Sequence, residues 1–388
     1  MTHIKRVLLI TPFAPPQLGG AETHLEDLYE YLRHENYNVT LLTYKPLVGR
    51  VDTKSIEKKK NLTIYRYQWF GENLFAKFES YPPIFNFLYI TPYLLVRSFI
   101  HMLLNKNKYD LIHVFGLNAS FIGRFLKLVF NQKIVMSSEA LYDFVPGSFF
   151  AKVARWVLKD LDAILVGSEE SRDEFVKLGL PKKKIIVYIH WIRLKNFKPA
   201  NKDLLKRKLG WKNKFTVLYV GRLIRIKGIR VFIDVAKQVG PSIQFKIIGD
   251  GGPELDYVKS TVAKLSNTEY LGKIPNTKIG KYFAASDVYI YPALYNEDLA
   301  RVLLESMAAG TPVINSNQGS GVYRLTKDVG YVLKPNPKEI RQKIIYLSKN
   351  PEIAKQMSSS SIKFARQFGP KLGRIITQTY EKILKKNN

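Results

Sequence analysis

Arg222 and Lys227 lie in one short glycine-bounded segment, GRLIRIKG at residues 221–228, after the apolar run 215–220 and ahead of a helix pattern that starts near Ile229. A planar guanidinium and a compact ammonium, backed by a helix N-terminus, form a clamp for a diphosphate. A merely solvated basic loop has the same spelling in a lysine-rich chain. A second cluster, residues 297–313, carries two carboxylates eight positions apart, Glu297 and Glu305. Glu297 stands at the mouth of a strand-to-helix loop, after Tyr291 and Pro292. Glu305 falls about two turns inside the following helix, roughly 80° round its axis from Glu297. Leu303, Leu304, Met307 and Ala308 flank Glu305. It therefore borders an apolar region, where a carboxylate is costly unless it is paired or bound to ligand hydroxyls.

These side chains need a scaffold, and the spacing of apolar runs supplies one. Residues 7–11 read as a buried strand, PFAPPQLGG as a turn, 21–33 as a helix and 39–42 as a second strand, a β–loop–α–β unit that implies a parallel sheet covered by helices. Further strands are expected at 111–114, 134–137, 163–166 and 185–189, followed by a linker at 196–200. The pattern then restarts, with strands at 215–220, 245–248, near Tyr270, 288–291 and 313–315, and a helix at 231–238. The expectation is two doubly wound α/β domains, residues 1–198 and 199–370, facing each other across a cleft at the strand C-termini, where such sheets bind ligands. A basic helical pattern occupies the last segment, 371–388.

The chain of 388 residues carries 61 Lys and Arg against 32 Asp and Glu, a formal charge of +29, and no cysteine. The last fact excludes a disulfide scaffold, thiol catalysis and cysteine-ligated zinc. The charge favours anionic partners, and no zinc-finger spacing, RNA-binding aromatic signature or basic heptad points to a specific nucleic acid. Residues 81–104 are the most apolar stretch, interrupted by Asn86, Pro92, Arg97 and His101. Buried helices account for it, as does an amphipathic face resting on an anionic membrane. The N-terminal apolar run is too short for a signal peptide, so the chain is expected in the cytoplasm, at the cytoplasmic face of the membrane. Six histidines show no metal-ligand spacing.

In order, the Arg222/Lys227 loop, IIGDGGPE (247–254), YLGKI (270–274), ASDVYIYP (285–292) and the Glu297–Glu305 helix resemble glycosyltransferase family 4, retaining enzymes of the GT-B fold. The N-terminal stretch PPQLGGAETHLEDLYEYLRHENYNVTLLT and DAILVGSEESRDEF (162–175) are similar to the same family, so the resemblance runs over nearly the whole chain.

The resemblance implies transfer of a hexosyl group from a nucleotide-diphosphate sugar to a hydroxyl of a lipid-linked or polysaccharide acceptor. No metal and no cofactor are expected beyond that co-substrate. By the same resemblance Arg222 and Lys227 neutralise the diphosphate and Glu305 takes the ribose hydroxyls. Glu297 sits beside the transferred sugar, and the backbone N–H groups of Ala300, Arg301 and Val302 face sugar or phosphate. Gly20 brings its N–H to the diphosphate from the first domain, and Gly272, Lys273 and Ile274 flank the base. The last helix is implied to cross back onto the first domain.

Some residues depart from the family pattern. The chain has Glu297-Asp298-Leu299-Ala300 where Glu-Gly-Phe-Gly or Glu-Pro-Phe-Gly is common, and His190-Trp191-Ile192-Arg193 where Asn-Gly-Val-Asp is usual. Phe115 holds a place where many members carry a histidine, and Ser138-Glu139 replaces another. His24, His113 and Glu139 are the candidates for the acceptor side. A non-catalytic GT-B protein that binds nucleotide or glycan, and a polyanion-binding protein, are the alternatives.

Overall fold

Runs of Val, Ile and Leu too short for helices and buried on both faces become the interior strands of two sheets. The computed structural model describes residues 5–17, 19–48, 51–71, 73–78, 81–105, 108–295, 300–318 and 325–385. The first half contains β1 (Arg6–Ile10), α1 (Gly20–His34), β2 (Asn38–Tyr44), β3 (Ile56–Lys59), β4 (Leu62–Tyr67), α2 (Leu74–Phe78) and α3 (Pro83–Leu104). It continues with β5 (Leu111–Phe115), α4 (Gly116–Phe130), β6 (Ile134–Ser137), α5 (Phe149–Leu158), β7 (Ala163–Val166), α6 (Glu169–Lys177) and β8 (Ile185–Val187). Its eight-stranded sheet has the order β3-β4-β2-β1-β5-β6-β7-β8. All neighbours are parallel except β3, which pairs antiparallel with β4 at the edge.

The second half repeats the plan with α7 (Lys202–Lys208), β9 (Phe215–Val220), α8 (Ile229–Lys237), β10 (Ile243–Ile248), α9 (Leu255–Val262), β11 (Thr268–Tyr270), α10 (Asn276–Ala285), β12 (Val288–Tyr291), α11 (Arg301–Ala308), β13 (Val313–Ser316) and β14 (Gly330–Leu333). Helices α12 (Pro337–Lys349), α13 (Pro351–Ala365) and α14 (Arg374–Lys385) follow. Its six parallel strands run β11-β10-β9-β12-β13-β14. Counted within the sheet that is 3-2-1-4-5-6, the doubly wound order whose chain direction reverses between the first and fourth strands. Both units are thus Rossmann-like α/β layers.

The chain divides into two compact units, Met1–Trp191 with Pro370–Asn388, and Ile192–Gly369. The segment 192–198, placed with the first domain from sequence, packs with the second. Ile192 N–H donates to the Phe368 carbonyl (2.9 Å), the Phe197 ring meets Phe283, and Gly280 has room only for the Asn196 carbonyl against it. Helix α14 belongs to the first unit, where Ile376, Tyr380 and Ile383 enter the same core as Val7, Leu9, Leu28 and Val39.

Candidate functional site

In the second unit, β9 and β12 are the neighbours at the topological switch point, so the loops that leave their C-terminal ends are the ones a ligand meets. Arg222 and Lys227 lie in the first loop and α11 follows the second. The two loops are joined through the backbone, with Leu294 N–H donating to the Ile226 carbonyl (2.8 Å). Gly228 has φ +77°, and a Cβ on it would lie 1.9 Å from the Pro292 carbonyl oxygen, so this position requires glycine twice over.

Tyr219, the fifth residue of β9, closes the basic loop from below. Its hydroxyl lies 3.1 Å from the Arg222 carbonyl and 3.4 Å from that of Lys227, which pins the two cation-bearing residues to one anchor. Lys227 Nζ donates to the Tyr291 hydroxyl (2.7 Å) and lies 4.8 Å from the Tyr295 ring centroid. Arg222 is exposed. The side-chain set is one oriented ammonium and one exposed arginine on a loop tied to Tyr219 and Leu294.

Glu305 is only 5 % exposed, on the inner part of α11. Asn276, the first residue of α10, donates its Nδ2 to Glu305 Oε1 (3.1 Å), and the buried guanidinium of Arg301 stands 4.0 Å from the same oxygen. This is the paired carboxylate that an apolar border demands. Ala300 caps α11 without a side-chain hydrogen bond, so the first-turn N–H groups of Arg301 and Val302 are presented by backbone alone. Gly272, Lys273 and Ile274 leave β11, and Gly249 N–H donates to the Gly272 carbonyl (3.0 Å) while Gly249 packs on the Gly221 carbonyl. That brings the third loop beside the basic one. Glu297, assigned to the transferred sugar from sequence, lies outside the described residues, as does Asp298.

In the first unit Gly20 opens α1 behind Gly19, which gives no side-chain cap, and the space over Gly20 is open to beyond 4 Å. His24, one turn on, is fully buried. Its Nε2 lies 3.0 Å from the Tyr188 hydroxyl, and its ring stacks on His190 with centroids 3.9 Å and planes 12° apart. Glu139, just past β6, approaches His190 Nε2 at 3.9 Å. Sequence placed His24 and Glu139 on the acceptor side, and the fold brings them together with His190.

Ligand atoms of His24, Glu139 and His190 lie within 4.8 Å of one another, a set able to hold a metal by residue type. Zinc donors stand about 2.1 Å from the ion, hence about 3.4 Å apart. Stacked imidazoles direct their in-plane lone pairs side by side rather than towards one ion, and Tyr188 already engages His24 Nε2. The parallel stacking of the two rings argues against a shared ion.

His113 does not reach this group as an acceptor-side residue. It is fully buried in β5, its Nδ1 2.5 Å from the Tyr380 hydroxyl and its Nε2 2.8 Å from Ser137 Oγ, and burial pushes its pKa down to about 3. Phe115 stacks on it, also in the core. Strand alternation turns this histidine, an acceptor-side candidate from sequence, towards α14 inside the core. Tyr291, Tyr295 and Asn276, which orient Lys227 and Glu305, were missed. The tyrosines at 289, 291 and 295, in and just after β12, were the available signal and read equally well as core.

Comparison with known proteins follows the same division. The family model for glycosyl transferases group 1 matches residues 201–364, and that for glycosyltransferase family 4 matches residues 18–190. An uncharacterized glycosyltransferase of Methanocaldococcus jannaschii is 23 % identical over 387 residues, covering 93 % of this chain and 94 % of its own. A phosphatidylinositol N-acetylglucosaminyltransferase polypeptide of Arabidopsis thaliana is 22 % identical, covering 86 % and 72 %. Among solved structures, the sucrose-phosphate synthase of Thermosynechococcus elongatus superposes with a TM-score of 0.81 at 20 % identity, over 98 % of this chain and 99 % of its own. Anabaena HepE, solved with UDP-glucose, gives 0.76 at 18 %, over 97 % and 99 %. With the two models spanning both Rossmann-like units and the GT-B architecture common to these structures, the chain belongs to the family 4-type glycosyltransferases.

Proposed function

We propose that this glycosyltransferase moves a hexosyl group from a nucleotide-diphosphate sugar to a hydroxyl of a lipid-linked or polysaccharide acceptor, with retention and without a metal, at the cytoplasmic face of a membrane. The observation that carries the reading is the basic loop itself, two cations tied through their carbonyls to Tyr219 at the switch point. Arg222 and Lys227 stabilise charge on the leaving diphosphate, a role given to a divalent ion in other transferases. Glu305 accepts from the ribose hydroxyls while Asn276 and Arg301 hold it. The N–H groups of Arg301 and Val302 face sugar or phosphate, those at Gly20 add donors for the diphosphate, and Gly272–Ile274 flank the base. Glu297 is assigned to the sugar hydroxyls.

In the reaction the anomeric carbon–phosphate oxygen bond breaks and the acceptor oxygen–anomeric carbon bond forms on the same face. The acceptor proton passes to the departing phosphate oxygen, so no separate base is required. Support for the donor class comes from the HepE structure with UDP-glucose, and for a lipid acceptor from the phosphatidylinositol N-acetylglucosaminyltransferase relative.

A thermal-shift panel of UDP, GDP and ADP with their sugars tests the reading. A ligand at 100 times its dissociation constant adds about 2.7 kcal/mol of stability. One nucleotide class should shift the transition, and Glu305→Ala should remove the shift. No shift with any of them rejects the donor site. A second reading, binding without turnover, is favoured by buried Phe115 at the family's histidine position. Sugar transfer by the wild-type chain that Arg222→Ala abolishes would dismiss it.

A further inference from the structure

Helix α3 is a surface helix with an inverted outer face. Tyr89, Ile90, Leu94 and Met102 pack into the first unit's core. Every fourth residue from Ile84 to Leu104 points outward and is exposed, namely Ile84, Leu88, Pro92, Val96, Ile100 and Leu104, and none is polar. A helix covering a sheet ordinarily turns charged residues to water. Here Arg97 is the only charged residue in 22, and its guanidinium lies over the Tyr67 ring. The segment Ile84–Leu104 has a mean hydropathy of 1.5.

The apolar face continues sideways. Phe99 of α3 meets Phe125 of α4, beside Leu128, which is 65 % exposed. Phe87 of α3 meets Phe121 of α4, which in turn meets Trp156 of α5. Phe149, at the start of α5, is 81 % exposed. A contiguous face of this extent marks an interaction surface rather than scattered surface residues.

Its margin is cationic. Lys152 and Lys159 are exposed on either side of Trp156. Lys184 Nζ donates to the carbonyls of Lys159 and Leu161 (3.0 Å each), which sets the basic turn 182–184 against the end of α5 with Lys182 and Lys183 exposed. The neighbouring Asp160 is already paired with Arg124.

We infer that α3, α4 and the start of α5 form a docking face for an anionic lipid bilayer, with the apolar stripe among the acyl chains and the lysines at the phosphate level. Aromatic residues at the edge and basic residues around it suit an interface between hydrocarbon and anionic headgroups. A second copy suits it less, since a two-fold axis would set these lysines against themselves.

The test is flotation of the full chain with vesicles of phosphatidylcholine alone or with one quarter phosphatidylglycerol. The chain should float with the anionic vesicles and much less with the neutral ones. Leu88→Asp, Leu104→Asp and Phe149→Asp should each weaken partitioning at least tenfold, and Lys152→Glu with Lys159→Glu should do the same. All five positions are exposed, so the melting transition and the nucleotide shift of each variant should match wild type. That separates loss of this face from failure of the donor-site reading. No flotation with either vesicle overturns the inference, as does flotation that the three Asp variants leave unchanged. So does a dimer by light scattering that Leu88→Asp dissolves.

Discussion

Tyr380 and His113, 267 residues apart, share a buried hydrogen bond of 2.5 Å in which the hydroxyl donates to Nδ1. Burial holds Tyr380 well above its ordinary pKa and His113 far below, so both are neutral at physiological pH. Among the described residues the hydroxyl has no other acceptor, which fixes the direction. His113 therefore carries its proton on Nε2 and donates to Ser137. Ser137 Oγ also accepts from the Tyr188 hydroxyl over a longer 3.4 Å, and that hydroxyl lies 3.0 Å from His24 Nε2. A run of hydrogen-bonded side chains thus leads from α14 through the sheet to His24, whose ring stacks on His190.

Replacing Tyr380 by phenylalanine should leave Nδ1 of His113 buried without a donor. The expected cost is about 1–3 kcal/mol of first-unit stability, read from urea denaturation. The nucleotide-induced thermal shift should persist if the donor is held chiefly by Arg222, Lys227 and Glu305, as proposed.

Acid should weaken the fold earlier than carboxylate titration alone would. His113 and His101 are pushed by burial to about 3 and about 4. Their folded pKa values lie below the unfolded 6.5, so the unfolded chain binds more protons once the pH falls under 6.5. The stability held above that value is lost on the way down to about 3, at up to about 1.4 kcal/mol per pH unit for each group. The urea midpoint should fall between pH 6.5 and 5, where most carboxylates remain ionised. A flat midpoint over that interval contradicts the burial of these rings.

Lys227→Ala and Arg222→Ala should each lower sugar transfer by about 10²–10³ if they stabilise the leaving diphosphate. Tyr291→Phe should act through Lys227, giving a smaller loss that vanishes in the Lys227→Ala background. Steady-state kinetics of the four-member cycle read this directly, and full additivity would mean that Tyr291 has no positioning role.

If the basic loop supplies the positive charge at the diphosphate, treatment with EDTA should leave transfer unchanged. Titration calorimetry with zinc should give no saturable heat that His190→Ala removes, in keeping with the stacked geometry of His24 and His190.

Gly228→Ala should destabilise the second unit by more than about 2 kcal/mol, since positive φ and collision with the Pro292 carbonyl add together. Guanidinium denaturation of the variant against wild type gives the figure.

Much of this architecture was legible because interior parallel strands announce themselves as short apolar runs. Residues 111–114, 134–137, 163–166 and 288–291 form strands within one residue of where sequence put them. The hairpin β3–β4 escaped, since IEKK is a charged edge strand with no apolar face and the lysines at 58–60 read as a solvated run. Lys206 is the opposite case. It sits in a basic run yet is buried, bonded to Asp287 and the Lys214 carbonyl. The site divides in the same way. Arg222, Lys227 and Glu305 follow from loop position and an apolar frame, whereas Asn276 reaches Glu305 from another helix, and a contact between distant residues leaves no local trace. His113 shows the limit for a lone histidine, whose letter is the same in a strand core and at a catalytic edge.

Helix α14 returns to the first unit only after the whole of Ile192–Gly369 has intervened. On the ribosome, the second unit therefore emerges and can mature while the earlier sheet still lacks Ile376, Tyr380 and Ile383. The half that is made first is the half finished last, and during that interval its unfilled groove is what a chaperone or a protease would meet.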